Sequence, residues 1–187
     1  MFTYKSLQKQ NYRLQNYCLV PIRFEDRFDI MKWRNEQLYH LRQNVVLTEE
    51  MQDNYFRTVV EPLFCQENPD QILFSYLDDN ICIGYGGLVH INWIDKNAEL
   101  SFIMNTELEK SEFGKHWSIF IKLIQEVAFT DLNFHKIFTY AFDLRPHLYD
   151  VLESNGFIRE AVLKEHCCCN SVYKNVVIHS MVNKKES

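Results

Sequence analysis

A strand, a polar linker, a glycine and an apolar helix follow one another in the middle of the chain, and this order limits the folds open to it. Side chains alternate along Asn97–Met104, as is typical of a strand. After Ser111–Trp117, apolar residues recur at helical spacing, at Phe120, Ile121, Ile124, Val127 and Ala128. Gly114 would let a ligand approach the backbone, and the unpaired N–H groups of a first helical turn favour phosphate. A tight turn is the alternative explanation for the glycine.

Length and charge set the class of protein. With 187 residues the chain is long enough for one domain with a substantial core. We predict a single domain over 1–187, with its core at about 17–183 and a loosely packed or capping extension at 1–16. The net charge of −5 argues against nucleic acid as a partner. Neither a signal peptide nor an apolar run of membrane length is found, so we expect no membrane partner and a cytoplasmic protein.

The cysteines indicate neither disulfides nor a metal site. Six are present, at positions 18, 65, 82, 167, 168 and 169. Neighbouring side chains on a strand point to opposite faces, which argues against a regular disulfide framework among the last three. The same divergence argues against zinc at His166 and the cysteines after it, because zinc needs four converging donors. We expect reduced thiols and no metal.

The remaining patterns predict the order β, α, α, β, β, β, α, β, α, β, β. The predicted strands are 17–23, 71–77, 81–92, 97–104, 136–142, 157–169 and 172–182. Helices are predicted from Phe24 to about Leu41, after the N-cap residue Thr48, from Trp117, and from Pro146 to the stop signal Asn155-Gly156. Three glycines in the third strand, Gly84, Gly86 and Gly87, indicate a bulge or a close backbone approach.

This order resembles the GNAT superfamily of acetyl-CoA-dependent N-acetyltransferases. Ile83–Leu88 and Ala98–Leu100 resemble its third and fourth strands, and Glu153–Phe157 matches its closing pattern. Trp33-Arg34-Asn35 is similar to the branch of ribosomal-protein N-terminal acetyltransferases and nucleotide-amino-sugar acetyltransferases. The resemblance implies an α/β (α+β) fold, with helices flanking a mixed, mostly antiparallel seven-stranded sheet that is splayed between its fourth and fifth strands.

The resemblance also implies where acetyl-CoA, the acetyl donor, would lie. Phe102, Ile103 and Met104 would face the pantetheine arm in the gap between the parted strands. A backbone N–H at a fourth-strand bulge would polarise the acetyl carbonyl. The pyrophosphate would bind backbone N–H groups of the turn formed by Ser111, Glu112, Phe113, Gly114, Lys115 and His116.

The chain departs from the family pattern at several positions. Ser111 replaces a Gln or Arg, and His116 replaces a small residue and must point away from the pyrophosphate. Arg145, kept here as a cofactor-binding candidate, stands where the family often has Asn. Leu152 stands where many members have a tyrosine, and Tyr149 lies about one turn earlier. These departures leave open a binding module that keeps the fold without catalysis.

Glu99 is the leading candidate for the proton acceptor that amine acetylation needs. If the chain turns at Asp95-Lys96, Asn92 faces Glu99 and His90 faces Ser101, which brings all four to one face of the sheet. A carboxylate among apolar strands loses hydration, which raises its pKa toward the range useful for a base. The alternative is that Glu99 only pairs with a surface cation.

Further candidates each have a structural alternative. His90 is the second candidate base, or a hydrogen-bonded structural histidine. Tyr149 would protonate the departing thiolate, or only pack. Arg34, Asn35 and Asn92 are candidates for substrate binding, the first two with a plain helix-surface role as the alternative.

The predicted function is direct acetyl transfer to a primary amine in a ternary complex. A nucleotide-linked amino sugar and a protein N-terminus both fit the branch resembled, and the acidic balance slightly favours a small molecule. Polyamines are a further alternative, because acidic clefts attract them. Whether the chain forms a homodimer is left open.

Overall fold

The structure, a computed structural model, describes residues 2–169 and 171–184. Within these residues eight strands form one sheet in the order β1-β2-β3-β4-β5-β6-β8-β7, and only the β5–β6 pair is parallel. The strands are β1 (Tyr12–Leu14), β2 (Tyr17–Pro21), β3 (Ile72–Asp78), β4 (Ile81–Asn92), β5 (Asn97–Met104), β6 (Lys136–Phe142), β7 (Ile158–Cys169) and β8 (Val172–Val182). The mixed, mostly antiparallel sheet is confirmed.

Helices flank this sheet. They are α1 (Arg27–Glu36), α2 (Glu49–Tyr55), α3 (Glu61–Leu63), α4 (Thr106–Ser111), α5 (Phe113–Gln125) and α6 (His147–Ser154). The helix predicted from Phe24 to Leu41 is divided into α1 and two 3₁₀ turns, Phe24–Asp26 and Leu38–His40. Thr48 caps α2 as predicted, accepting the Met51 N–H at 3.2 Å. Short π-helical segments, Phe56–Val60 and Glu126–Asp131, follow α2 and α5.

The N-terminal segment is part of the core, which corrects the expectation that residues 1–16 pack loosely. β1 pairs with β2 and is the eighth strand, one more than predicted. Tyr12 is fully buried, and the Tyr4 hydroxyl donates to the Leu73 carbonyl at 3.0 Å and accepts its N–H at 2.9 Å. Most residues between these tyrosines are polar, so the sequence pattern does not indicate how much apolar area the two rings bury.

The glycines of β4 allow a close approach of neighbouring elements, as predicted. A Cβ on Gly86 would lie 2.2 Å from the Ser101 carbonyl oxygen and 2.9 Å from the Phe120 ring. The β3–β4 register shifts between Tyr76 and Leu77, which are paired with Gly84 and Cys82. Both the predicted bulge and the predicted close approach are therefore present.

The predicted register between β4 and β5 is wrong. Val89 lies opposite Glu99, and Asn92 lies opposite Asn97. The turn is longer than Asp95-Lys96 because the Asn92 Oδ1 accepts the N–H groups of residues 94 and 95 at 3.0 and 2.9 Å, an arrangement that favours a turn. The extra length is absorbed by a bulge in β4 at His90, whose φ is 49°. The bulge expected in the Asn97–Met104 strand thus lies on its neighbour, and β5 pairs regularly from Glu99 onward.

β5 and β6 part after three residue pairs, which confirms the predicted splay. Their parallel pairing ends at Glu99 and Phe138. β5 then continues along β4 to Met104, while β6 continues along β8 to Phe142. Because each strand is held by its other neighbour, the gap between them stays open.

Candidate active site

A cavity of about 430 Å³ opens where β5 and β6 part. Leu100, Phe102 and Ile103 line it from β5, and residues 139–142 line it from β6. Trp117 of α5 and Leu148 of α6 close one end. At the other end the wall is formed by α1, the loop that follows it, and the exposed edge near the β4 bulge. The cavity is therefore a channel between two strands with an entrance beside α1.

The first turn of α5 offers unpaired backbone donors at the α6 end of this channel. The Glu112 side chain, at the N-cap, makes no capping hydrogen bond. The N–H groups of Phe113, Gly114 and Lys115 have no acceptor within the helix because they belong to its first turn. A Cβ on Gly114 would meet only Val151, at 3.7 Å, so packing does not require the glycine. The space beside these N–H groups suits a pyrophosphate.

Three members of the predicted phosphate turn have other roles. The Ser111 hydroxyl donates to the Glu107 carbonyl, and the Glu112 N–H donates to the Leu108 carbonyl, both at 2.8 Å. The His116 N–H donates to the Glu112 carbonyl at 3.1 Å. As expected, the His116 side chain points away from the turn: it is 2% exposed, and its Nδ1 lies 3.1 Å from the Tyr76 hydroxyl. Of the six residues predicted to bind the pyrophosphate, only Phe113, Gly114 and Lys115 keep backbone N–H groups without an acceptor in the helix.

Only two of the three residues predicted to face pantetheine line the channel. Phe102 and Ile103 line the channel, whereas Met104 is fully buried and is not part of the lining. The Met104 carbonyl instead accepts a hydrogen bond from Gln37 Nε2 at 2.8 Å, which links β5 to the end of α1. Arg145, a candidate for cofactor binding, lines the channel, and its guanidinium is paired with Glu109 at 2.9 Å.

Glu99 lies at the point where the strands part, in the wall of the channel. It is 5% exposed, and its carboxylate accepts a hydrogen bond from the Arg42 guanidinium. His90 Nε2 lies 3.8 Å from the same carboxylate. Burial raises the pKa of Glu99, and Arg42 and His90 oppose this rise by favouring the charged form. Both expectations for Glu99, burial and pairing with a cation, therefore describe it.

His90 reaches Glu99 despite the wrong register. The bulge in β4 turns its side chain, which is 66% exposed, toward the rim of the channel. Its Nε2 also lies 3.5 Å from Arg42 Nη1. His90 is thus a rim residue that lies close to both Glu99 and Arg42.

Asn35, Asn92 and Tyr149 are not among the residues that line the channel. The Asn35 side chain is bound to the backbone N–H and carbonyl of Leu47, at 2.8 and 2.9 Å, so it holds the loop after α1. Asn92 stabilises the β4–β5 turn. The Tyr149 hydroxyl donates to Asp143 at 2.9 Å and its ring stacks on His179, contacts that set it apart from the channel.

Three residues that no sequence pattern indicated also line the channel: His40, Arg42 and Tyr140. The Arg42 guanidinium lies 4.6 Å from the centre of the Tyr140 ring. Burial lowers the pKa of His40 to about 3, with Arg145 adding to the effect, so this histidine is neutral. Arg42 belongs to a loop without a periodic sequence pattern, so only its charge could have indicated a functional role. In the sequence, Tyr140 could not be distinguished from the other aromatic residues of the strands.

Comparison with known families shows to which family the chain belongs. The sequence profile of the family described as an acetyltransferase (GNAT) domain matches residues 19–182. The chain belongs to the GNAT family. The predicted superfamily is thereby confirmed, and with it, at the level of the family, an acetyltransferase that uses acetyl-CoA as donor.

Relatives of this GNAT chain include polyamine enzymes. Spermidine N(1)-acetyltransferase of Vibrio cholerae is 31% identical over 94 residues, which cover 50% of this chain and 53% of the relative. The sequence match therefore spans about half of that protein. No helix within residues 2–169 and 171–184 is long and apolar enough to cross a membrane.

Solved structures agree on the fold. The crystal structure of spermidine N-acetyltransferase from V. cholerae with CoA and spermine superposes with a TM-score of 0.80 at 20% identity, covering 92% of this chain and 98% of that one. A point variant of the V. cholerae enzyme superposes with a TM-score of 0.77 at 22% identity, covering 92% and 96%. At these identities the likeness concerns the fold alone.

Proposed function

We propose that the chain transfers the acetyl group of acetyl-CoA to the primary amine of a small molecule, by direct transfer in a ternary complex. The observation that carries the proposal is the position of Glu99. A buried carboxylate of raised pKa lies where β5 and β6 begin to part, beside the channel that suits a pantetheine arm. A base in this position is within reach of an amine that enters beside α1.

In the proposed reaction the chain binds both substrates and removes protons. The α5 N-terminus holds the pyrophosphate, and Phe102 and Ile103 contact the arm. Glu99 accepts a proton from the ammonium group, and the free amine attacks the acetyl carbonyl. An N–C bond forms, the C–S bond breaks, and the second amine proton ends on the departing thiolate. The proton on Glu99 then passes to solvent, with His90 at the rim as a second base.

The relatives and the channel wall favour different acceptors. The names of the relatives support a polyamine. A nucleotide-linked amino sugar, favoured by the sequence, fits a channel wall that contains Arg34 and Arg42. A protein N-terminus is an alternative acceptor, and a module that binds acyl-CoA without transfer is the alternative from another class.

Free CoA release from acetyl-CoA tests the proposal with one amine from each class. The panel is a nucleotide-linked amino sugar, spermidine and a peptide with a free N-terminus. We expect release well above the hydrolysis background with at least one small-molecule amine. Binding of acetyl-CoA without release for the whole panel would favour the non-catalytic module, and release with the peptide alone would favour the protein acceptor.

Gly114→Ala is expected to weaken acetyl-CoA binding by about tenfold without destabilising the free protein. The added methyl makes only an ordinary contact with Val151 but narrows the space beside the α5 N–H groups. At a fixed ligand concentration, bound ligand raises the melting temperature by an amount that grows with the logarithm of its affinity. The variant should therefore melt like the wild type alone and be stabilised less by acetyl-CoA. Ser118→Ala, further along α5, is the control; an equal ligand shift in all three proteins would contradict the placement.

A further inference from the structure

Arg34 is a cation without a counter-charge in the wall of the channel. It is half-buried, and its guanidinium donates to Gln43 Oε1 at 2.7 Å and to the Tyr85 hydroxyl. Among residues 2–169 and 171–184 no carboxylate forms an ion pair with it. Removing a cation from water is costly unless an anion pairs with it. Arg34 therefore lacks a partner that a ligand in the channel can supply.

Arg42 is held in the same wall but is paired. Its side chain is 47% exposed and donates to Glu99, whose side chain is 7% exposed. The loop that carries it is fixed to α1, because Gln43 Nε2 donates to Asn35 Oδ1 at 3.1 Å and to the Val45 carbonyl at 2.9 Å. In this state a guanidinium occupies the carboxylate that an acceptor ammonium would need.

The charges of the lining are unfavourable for a purely cationic acceptor. The lining contains three guanidiniums, of Arg34, Arg42 and Arg145, and two carboxylates, of Asp70 and Glu99. Arg145 is balanced by Glu109. The wall beside α1 thus presents two cations to an entering amine, and only one buried carboxylate.

Resting on the proposed function, we propose that the acceptor amine carries its own anionic group, a carboxylate or a phosphate. The anion binds Arg34 and attracts Arg42 away from Glu99. The ammonium group of the same molecule then takes the place of Arg42 on the Glu99 carboxylate. A phosphate dianion pairs with both guanidiniums and a carboxylate with one of them, whereas a polyamine brings no anion to either.

The test compares an amino sugar without an anionic group, two anionic derivatives with the same carbon chain, and a polyamine. The wild-type protein is assayed for CoA release with glucosamine, glucosamine 6-phosphate (the phosphate arm) and glucosaminic acid (the carboxylate arm), and with spermidine. We expect kcat/KM for at least one anionic acceptor to exceed that of glucosamine and of spermidine by about tenfold or more. The arm with the larger ratio identifies the anion.

A variant shows whether Arg34 is the cause. Arg34→Gln is expected to reduce the ratio of anionic acceptor to glucosamine by about tenfold. Arg57→Gln, at an exposed site in the π-helical turn after α2, should keep the wild-type ratio. A ratio is insensitive to a loss of folded protein, so a destabilised variant still gives an answer.

Three outcomes would overturn the inference. One is a wild-type ratio near unity, and another is a ratio that Arg34→Gln leaves unchanged. The third is spermidine used better than both anionic acceptors; this would reject the acceptor class and leave acetyl transfer intact. Absence of CoA release with all four amines and with the nucleotide-linked amino sugar would reject the proposed function together with the inference.

Discussion

Glu99→Gln is expected to lower kcat for acetyl transfer by a factor of about 10² or more, with the KM for acetyl-CoA within about twofold of the wild type. The amide has the shape of the carboxylate and can still accept a hydrogen bond from Arg42. It cannot take a proton from the acceptor. Steady-state CoA release at saturating acetyl-CoA, with the best acceptor of the panel, measures the effect.

The pH dependence of the same reaction gives a second readout. Burial raises the pKa of Glu99 from its ordinary value. As pH falls through this raised pKa, the base becomes protonated, so kcat/KM of the wild type should decline on the acid side. Glu99→Gln should lack this decline, because it has no group that titrates there.

Glu50→Gln is the control for removing one carboxylate. Glu50 is exposed in the first turn of α2, away from the channel. It should keep the turnover and the pH profile of the wild type. If Glu99→Gln also keeps both, Glu99 is not the base, and the role passes to His90 or to water.

Gly86→Ala is expected to lower the free energy of unfolding by about 3 kcal/mol or to prevent folding. The new Cβ would lie 2.2 Å from the Ser101 carbonyl oxygen and 2.9 Å from the Phe102 Cα, and backbone atoms of a central strand cannot move aside. This clash outweighs the smaller gain from replacing a glycine within a strand. Urea unfolding followed by circular dichroism measures the change.

Gly114→Ala is the matched control for stability. Its Cβ would make only the 3.7 Å contact with Val151, so its unfolding midpoint should stay at the wild-type value. A Gly86→Ala protein within about 1 kcal/mol of the wild type would show that β4 and β5 can separate, which contradicts their close packing at Gly86.

Local patterns were sufficient for most elements. The alternation along residues 97–104, the Thr48 cap and the stop at Asn155-Gly156 are each determined by neighbours in the chain, and the structure contains all three. The splay was expected only from the resemblance, because the corresponding strands part in the family resembled. The segment that contains the buried tyrosines is mostly polar and has no periodic pattern, so the sequence did not predict β1.

The sequence by itself determined the order of elements, the strand–glycine–helix unit and the candidate base, because these depend on residues close together along the chain. Only the tertiary structure decided which side chains meet that base. The bulge at His90 depends on how a four-residue turn closes, and the Arg42–Glu99 pair joins residues 57 positions apart through an aperiodic loop. Such contacts result from the packing of α1 and its loop over the sheet. No helical or strand periodicity in the sequence encodes this packing.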